Sequence, residues 1–128
     1  MTLEHVRRTY EQFGAEDPFF AVLSAREKRG GGWDPEEFFA TGVREIAAIL
    51  QYLGEVDVSP ERGRALDFGC GVGRLSQALA EHFDEVVGVD ISSSMVATAK
   101  EHNRFGDRVT YRVNTAADLS LLPEAHVD

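Results

Sequence analysis

Only one cysteine occurs in the chain, Cys70, so no internal disulfide can form and a reducing, cytoplasmic setting is expected. Basic residues are also in short supply: 13 Lys and Arg stand against 22 Asp and Glu, a formal charge of −9. An acidic surface repels phosphate backbones and anionic lipid, so neither nucleic acid nor a membrane is an expected partner. Long apolar runs are missing, and none approaches the ~20 residues that a bilayer-spanning helix needs. The N-terminus, Met-Thr-Leu-Glu-His-Val-Arg-Arg, lacks the apolar centre of a signal peptide. The four histidines, His5, His82, His102 and His126, fall at no ligand spacing, and no metal site is expected. Internal repeats and low-complexity stretches are absent too. What is present is a 43% hydrophobic composition spread along 128 residues, enough for the core of one domain.

The first part of the chain has helical periodicity. Leu3, Val6, Tyr10 and Phe13 share one face, and Gly14 is expected to stop that helix. Asp17-Pro18 predicts a cap and first-turn proline, with a helix through Phe20, Leu23 and Glu27 to the run Gly30-Gly31-Gly32. That run is the most flexible stretch by composition and is expected to be a hinge. The next helix is the best defined. Asp34 caps it, Pro35 is its first residue, Glu37 completes a capping box, and Trp33 is placed to staple onto Phe38. Phe39, Val43, Ile46, Leu50 and Leu53 form its apolar stripe and Gly54 is expected to close it. The aromatics of this region are expected to be core. Residues 1–54 therefore form an N-terminal helical segment, a lid or cap.

From Arg64 the pattern changes to alternating strands and helices. Ala65-Leu66-Asp67-Phe68 is a short strand, and Arg74 to Phe83 a helix with Leu75, Ala78, Leu79 and His82 on one side. Glu85 to Val89 is a second strand. Ser92 or Ser93 caps a helix that runs to about Asn103. Gly106-Asp107 turns the chain into a third strand, Val109 to Val113. This alternation predicts an α/β fold with a doubly wound parallel sheet over residues 55–128.

Between the first strand and its helix lies Asp67-Phe68-Gly69-Cys70-Gly71-Val72-Gly73. Glycine permits left-handed backbone angles at the strand end and lets a ligand lie against bare backbone. The unpaired N–H groups at the start of the following helix suit an anionic group. Asp90 ends the second strand, about 20 residues past the loop, where a carboxylate is placed to accept the hydroxyls of a ribose. Together they imply a ligand with a ribose and a negative group. A dinucleotide fingerprint needs Gly-x-Gly-x-x-Gly. Its third glycine would fall on Arg74 or on Ser76, depending on the alignment.

The complete pattern is Asp-x-Gly-x-Gly-x-Gly. It resembles the first motif of the class I, Rossmann-like, S-adenosylmethionine (SAM) dependent methyltransferases, and the resemblance extends from Arg64 to Leu119. It implies that Asp67, Gly69, Cys70, Gly71 and Gly73 form the loop that holds the methionine part of SAM, with Cys70 a small residue that fits the turn. It implies that Asp90 grips the ribose, that Ile91 lies against the adenine, and that Met95 packs beneath it. Thr115 stands where the family often has an acid that meets the adenine amino group, and the N–H near Ala116 is placed to meet the ring. Asp118 is a second candidate for the missing acid. The implied cofactor is SAM, and the implied reaction is methyl transfer to a small-molecule acceptor. The residues present include no candidate general base.

The resemblance places a fourth strand where the chain reaches residues 126–128. The expectation is therefore a half-domain, truncated after its third strand, whose exposed sheet edge favours a homo-oligomer. Two other readings use the same residues: a fragment of an NAD(P)-binding oxidoreductase, and a non-catalytic SAM-binding or assembly module.

Overall fold

The computed structural model describes residues 2–116 and 118–122. The elements run α1 (Leu3–Glu16), α2 (Pro18–Val22), α3 (Pro35–Glu55), β1 (Arg64–Phe68), α4 (Arg74–Leu79), β2 (Glu85–Asp90), α5 (Ser93–Glu101) and β3 (Val109–Val113). Short 3-10 turns occupy Arg26–Lys28 and Gly106–Arg108. The strands form one open, all-parallel sheet in the order β1-β2-β3, the α/β architecture expected. Register runs from Arg64 opposite Glu85 to Phe68 opposite Val89, and from Val86 opposite Val109 to Asp90 opposite Val113. The carboxyl ends of the three strands therefore lie side by side. Among the described residues β1 has a strand neighbour on its β2 side alone.

Helices α4 and α5 lie against the sheet, α3 packs on α4, and α1 packs on α5. One core fills the space between sheet and helices, with Cys70, Ala80, Phe83, Val86, Val96, Ala99, Val109 and Tyr111 buried. A second core joins the N-terminal helices to the loop after β1. Phe38, Phe39, Val72 and Met95 are buried there, with Phe19, Val22 and Trp33 packed on them. Phe38 is fully buried, its ring stacked on Phe19 at 4.5 Å and edge-on to Trp33 at 5.6 Å. Trp33, Phe38 and Phe39 pack in this core, as their spacing implied, whereas Tyr52 further along α3 is 62% exposed.

The start of α3 is as predicted. Asp34 accepts a hydrogen bond from the Glu37 N–H at 3.0 Å, Pro35 opens the helix, and the Trp33–Phe38 contact staples it. The Glu37 carboxylate takes the Lys28 ammonium at 3.3 Å.

Several predicted ends move. Gly14 does not stop α1, which continues to Glu16; a Cβ on Gly14 would strike Ser94, so the glycine serves close packing on α5. The predicted helix from Pro18 to Glu27 breaks after Val22. The Leu23 carbonyl is taken by the Trp33 indole N–H at 2.9 Å and by the Ala25 N–H. Gly54 does not close α3. Asp57 takes the left-handed conformation instead (φ 58°), with Val58 N–H bonded to the Leu53 carbonyl and Asp57 N–H to that of Gly54. Helix α4 ends at Leu79 rather than Phe83, and its buried residues are Ser76, Gln77 and Ala78. Arg108 claims the carbonyls of Ala80 and Phe83. Gln77 reaches across to the His102 carbonyl and the Arg104 N–H. Helix α5 ends at Glu101, short of Asn103. The glycine run, expected as a hinge, is tethered: the Asp17 carboxylate accepts from the N–H groups of Gly30 and Gly31 at 2.7 and 3.2 Å. Among the described residues no helix is long and apolar enough to cross a membrane.

Candidate functional site

A cavity of about 350 Å³ opens at the carboxyl ends of β1 and β2. Ligand pockets run from about 300 to 1,000 Å³, so it is of ligand size. The sheet side is lined by Phe68, Gly69, Val89, Asp90, Ile91, Asn114 and Ala116. The opposite wall is Leu3, Val6 and Tyr10 of α1. It is a mostly apolar chamber with one carboxylate, Asp90, on its rim.

The three loop glycines have left-handed angles, with φ of 73° at Gly69, 54° at Gly71 and 87° at Gly73. Glycine takes these at no steric cost, whereas side chains other than Asn and Asp rarely do. Their surroundings divide them. A Cβ on Gly73 would strike the Tyr111 ring, and one on Gly71 would touch Val22 at 2.9 Å. Those two glycines admit protein. Around Gly69 the same position is open, so there a ligand can approach bare backbone. The N–H groups of Gly69 and Cys70 both donate to the Val89 carbonyl, at 2.8 and 2.9 Å, which fastens the loop to β2.

Asp90 is tied on both oxygens. Oδ2 accepts from the Gly71 N–H and Oδ1 from the Ser92 N–H, each at 2.9 Å. Each carboxylate oxygen keeps a further lone pair for a ligand hydroxyl. Its orientation is thus set by the backbone before a ligand arrives.

Asp67 does not line the cavity. Its carboxylate accepts the Ser76 hydroxyl at 2.6 Å and braces the loop against α4. Burial raises its pKa above the usual Asp value; the Ser76 bond lowers it and nearby Asp90 raises it. The Cys70 side chain is buried in the sheet core, and that burial pushes its thiol far up, so it is not an activated nucleophile. Met95 is 1% exposed beside Phe38 and Val72, a core position away from the cavity wall. Thr115 is exposed and Ala116 lines the chamber; the Ala116 N–H donates to the Asn114 side chain at 3.2 Å. Asp118 accepts from the Ser120 N–H, which holds its carboxyl below the ordinary range. Of the residues named from sequence, the structure brings Gly69, Asp90, Ile91 and Ala116 together on the cavity. Asp67, Cys70, Gly71, Gly73 and Met95 support it from behind.

Phe68, Val89 and Asn114 were not named as site residues from sequence, and the N-terminal helices were expected as a lid or cap without Leu3, Val6 and Tyr10 being singled out. Phe68 is 69% exposed although it ends an apolar strand, a placement that composition does not reveal. The α1 residues carry only a helical periodicity, which says that a face packs but not on what. Among the described residues no group of three His, Cys, Asp or Glu side chains is placed to hold a metal.

A methyltransferase-domain family matches residues 65–128, which hold the glycine loop, Asp90 and the third strand. The chain belongs to this class I methyltransferase family. It is similar to the ubiquinone biosynthesis O-methyltransferase of Bordetella avium (strain 197N), 33% identical over 111 residues, covering 83% of this chain and 42% of that protein. The enzyme of the same description from Marinobacter nauticus is 37% identical over 94 residues, covering 72% and 39%. The chain therefore spans about two fifths of the length of these curated relatives. Among solved structures it resembles the magnesium protoporphyrin IX methyltransferase of Synechocystis PCC 6803 with bound S-adenosylhomocysteine (SAH). There the TM-score is 0.58 and the identity 25%, over 94% of this chain and 53% of that one.

Proposed function

We propose that this chain forms the cofactor-binding part of a SAM-dependent methyltransferase that acts on a small-molecule acceptor. The observation that carries the proposal is the pairing of Asp90, held rigidly on the cavity rim, with Gly69, the loop glycine whose Cβ space is open to the cavity. The curated relatives are named as O-methyltransferases, which makes an oxygen the proposed acceptor atom.

The residues present fit the cofactor. Asp90 would accept the ribose hydroxyls, Ile91 and Ala116 would flank the adenine, and Gly69 would admit the chain that leads to the sulfur. SAM, when bound, supplies a methyl group made electrophilic by its sulfonium. The protein's part is then largely positioning, which by itself can supply much of a rate enhancement. Leu3, Val6 and Tyr10 cover the chamber and exclude water, so residues 1–54 act as a lid on the SAM-binding part, 55–128. No described residue is assigned as a general base. The dinucleotide alternative has little support, because Ser76, at one of the two positions open to its third glycine, is buried and committed to Asp67.

Titration calorimetry with SAH tests the reading. The wild type is expected to bind, and Asp90→Ala to weaken binding by at least a hundredfold, since two charge-assisted hydrogen bonds are lost (about 3 kcal/mol). Unchanged binding in Asp90→Ala, or NADH binding in place of SAH, would refute it.

A further inference from the structure

The first turn of α5 is not left to local capping. Ser92 caps it locally, accepting from the Met95 N–H at 3.2 Å. Its remaining donors turn to α1. The Glu11 carboxylate accepts from the Ser93 N–H at 3.3 Å, from the Ser93 hydroxyl at 2.8 Å and from the Ser94 N–H at 2.5 Å. The Ser94 hydroxyl donates to the Glu11 carbonyl at 2.7 Å, and that of Ser92 to the Tyr10 carbonyl at 3.2 Å. Gly14, less than one turn further on, lets the two helices touch. On one side of this clasp stands Tyr10, which lines the cavity. On the other stands Ser92, whose N–H donates to Asp90.

We infer that Glu11 is a positioning residue for the cofactor site. It clasps α1 to the start of α5, and so holds the apolar wall over the ligand and the Asp90–Ser92 turn in one geometry. The inference rests on the cavity being a SAM site. Its physical basis is that N–H groups at a helix start need an acceptor, and a carboxylate there is favoured by the helix dipole as well. Here that acceptor comes from the opposite wall of the chamber. Lid closure and ribose grip therefore share one set of hydrogen bonds. A ligand that bridges Asp90 and Tyr10 favours the clasped state, and the clasp in turn favours the ligand.

A helix cap that only stabilises the fold makes a different prediction. Its loss would lower stability, and its effect on binding would simply add to that of a wall mutation. The experiment is a double-mutant cycle on SAH affinity with wild type, Glu11→Ala, Tyr10→Ala and the pair. Hydrogen exchange of the α1 amides is followed with and without SAH. Glu11→Ala is expected to weaken SAH about tenfold, the loss of charge-assisted bonds, and to abolish the protection that SAH gives to α1. Tyr10→Ala is expected to weaken SAH several-fold in the wild type and hardly at all once Glu11 is gone. Should Glu11→Ala unfold, Glu11→Gln, which keeps the size and one acceptor oxygen, carries the same cycle. Additive losses, or wild-type affinity in the Glu11 variant, would overturn the inference. A wild type that binds no SAH would instead overturn the cofactor reading on which it stands.

Discussion

The sheet-side wall of the cavity is made by residues close in sequence: the loop after β1, the end of β2 and the turn after β3. The opposite wall comes from a helix some 82 positions away from the turn it clasps. The first wall is held by backbone geometry, in glycines with left-handed angles and amides fixed on Val89. The second is held by side chains, Glu11 and Gly14 on α1 meeting Ser92, Ser93 and Ser94. Backbone devices are rigid and legible. Side-chain clasps depend on a fold that must already exist.

The contrast can be broken most forcefully where the two regions share a core. Phe38 is fully buried among residues of both, from Phe19 and Trp33 to Val72 of the glycine loop. Phe38→Ala is expected to cost about 3–5 kcal/mol, enough to unfold both regions together in a single urea transition. Two separate transitions would show that the regions are energetically independent.

Gly73→Ala attacks the sheet-side wall alone. The φ of 87° and the Tyr111 ring at the Cβ position both oppose a side chain. The expected loss is about 2–4 kcal/mol of stability, read by urea denaturation, with SAH binding lost as the loop shifts. A variant of normal stability and affinity would show that the loop is plastic.

The mildest probe is pH, and it sharpens the contrast because it reaches α1 without mutation. Partial burial raises the Glu11 carboxyl, but the hydrogen bonds from Ser93 and Ser94 outweigh it and leave it below the usual glutamate value. Arg7, at 3.5 Å, is the cation that faces it. A depressed value in the folded state means that the clasp contributes fully above the unfolded value near ~4.3 and is lost as pH falls through the folded one. Hydrogen exchange of α1 is therefore expected to stay slow from neutral pH to about 5 and to rise below about 4. Asp67 runs the other way. Its folded value is raised, so the ionised group opposes folding at neutral pH, and protonation relieves that cost as pH falls. Loss of α1 protection ahead of sheet protection on acidification is the expected order; simultaneous loss would erase the distinction.

Much of the fold was legible before any coordinates. The alternation after Arg64 predicted three parallel strands, the glycines and Asp90 pointed to the strand ends where a cavity opens, and Asp34-Pro35 with Trp33 marked the start of α3. These features are local. A left-handed angle, a missing Cβ, a cap or a strand-end acid acts within a few residues, so residue type and spacing determine it. Tertiary structure decided the rest. Gly14 had the look of a helix stop, and only the approach of α5 turned it into a packing residue. Asp67 had the look of a ligand group, and only Ser76, nine positions on, made it a brace. Whether Leu3, Val6 and Tyr10 would pack on core, solvent or ligand was not in their periodicity. That choice belonged to Glu11 and three serines far along the chain, because a carboxylate and a helix start find each other only after the sheet between them has formed.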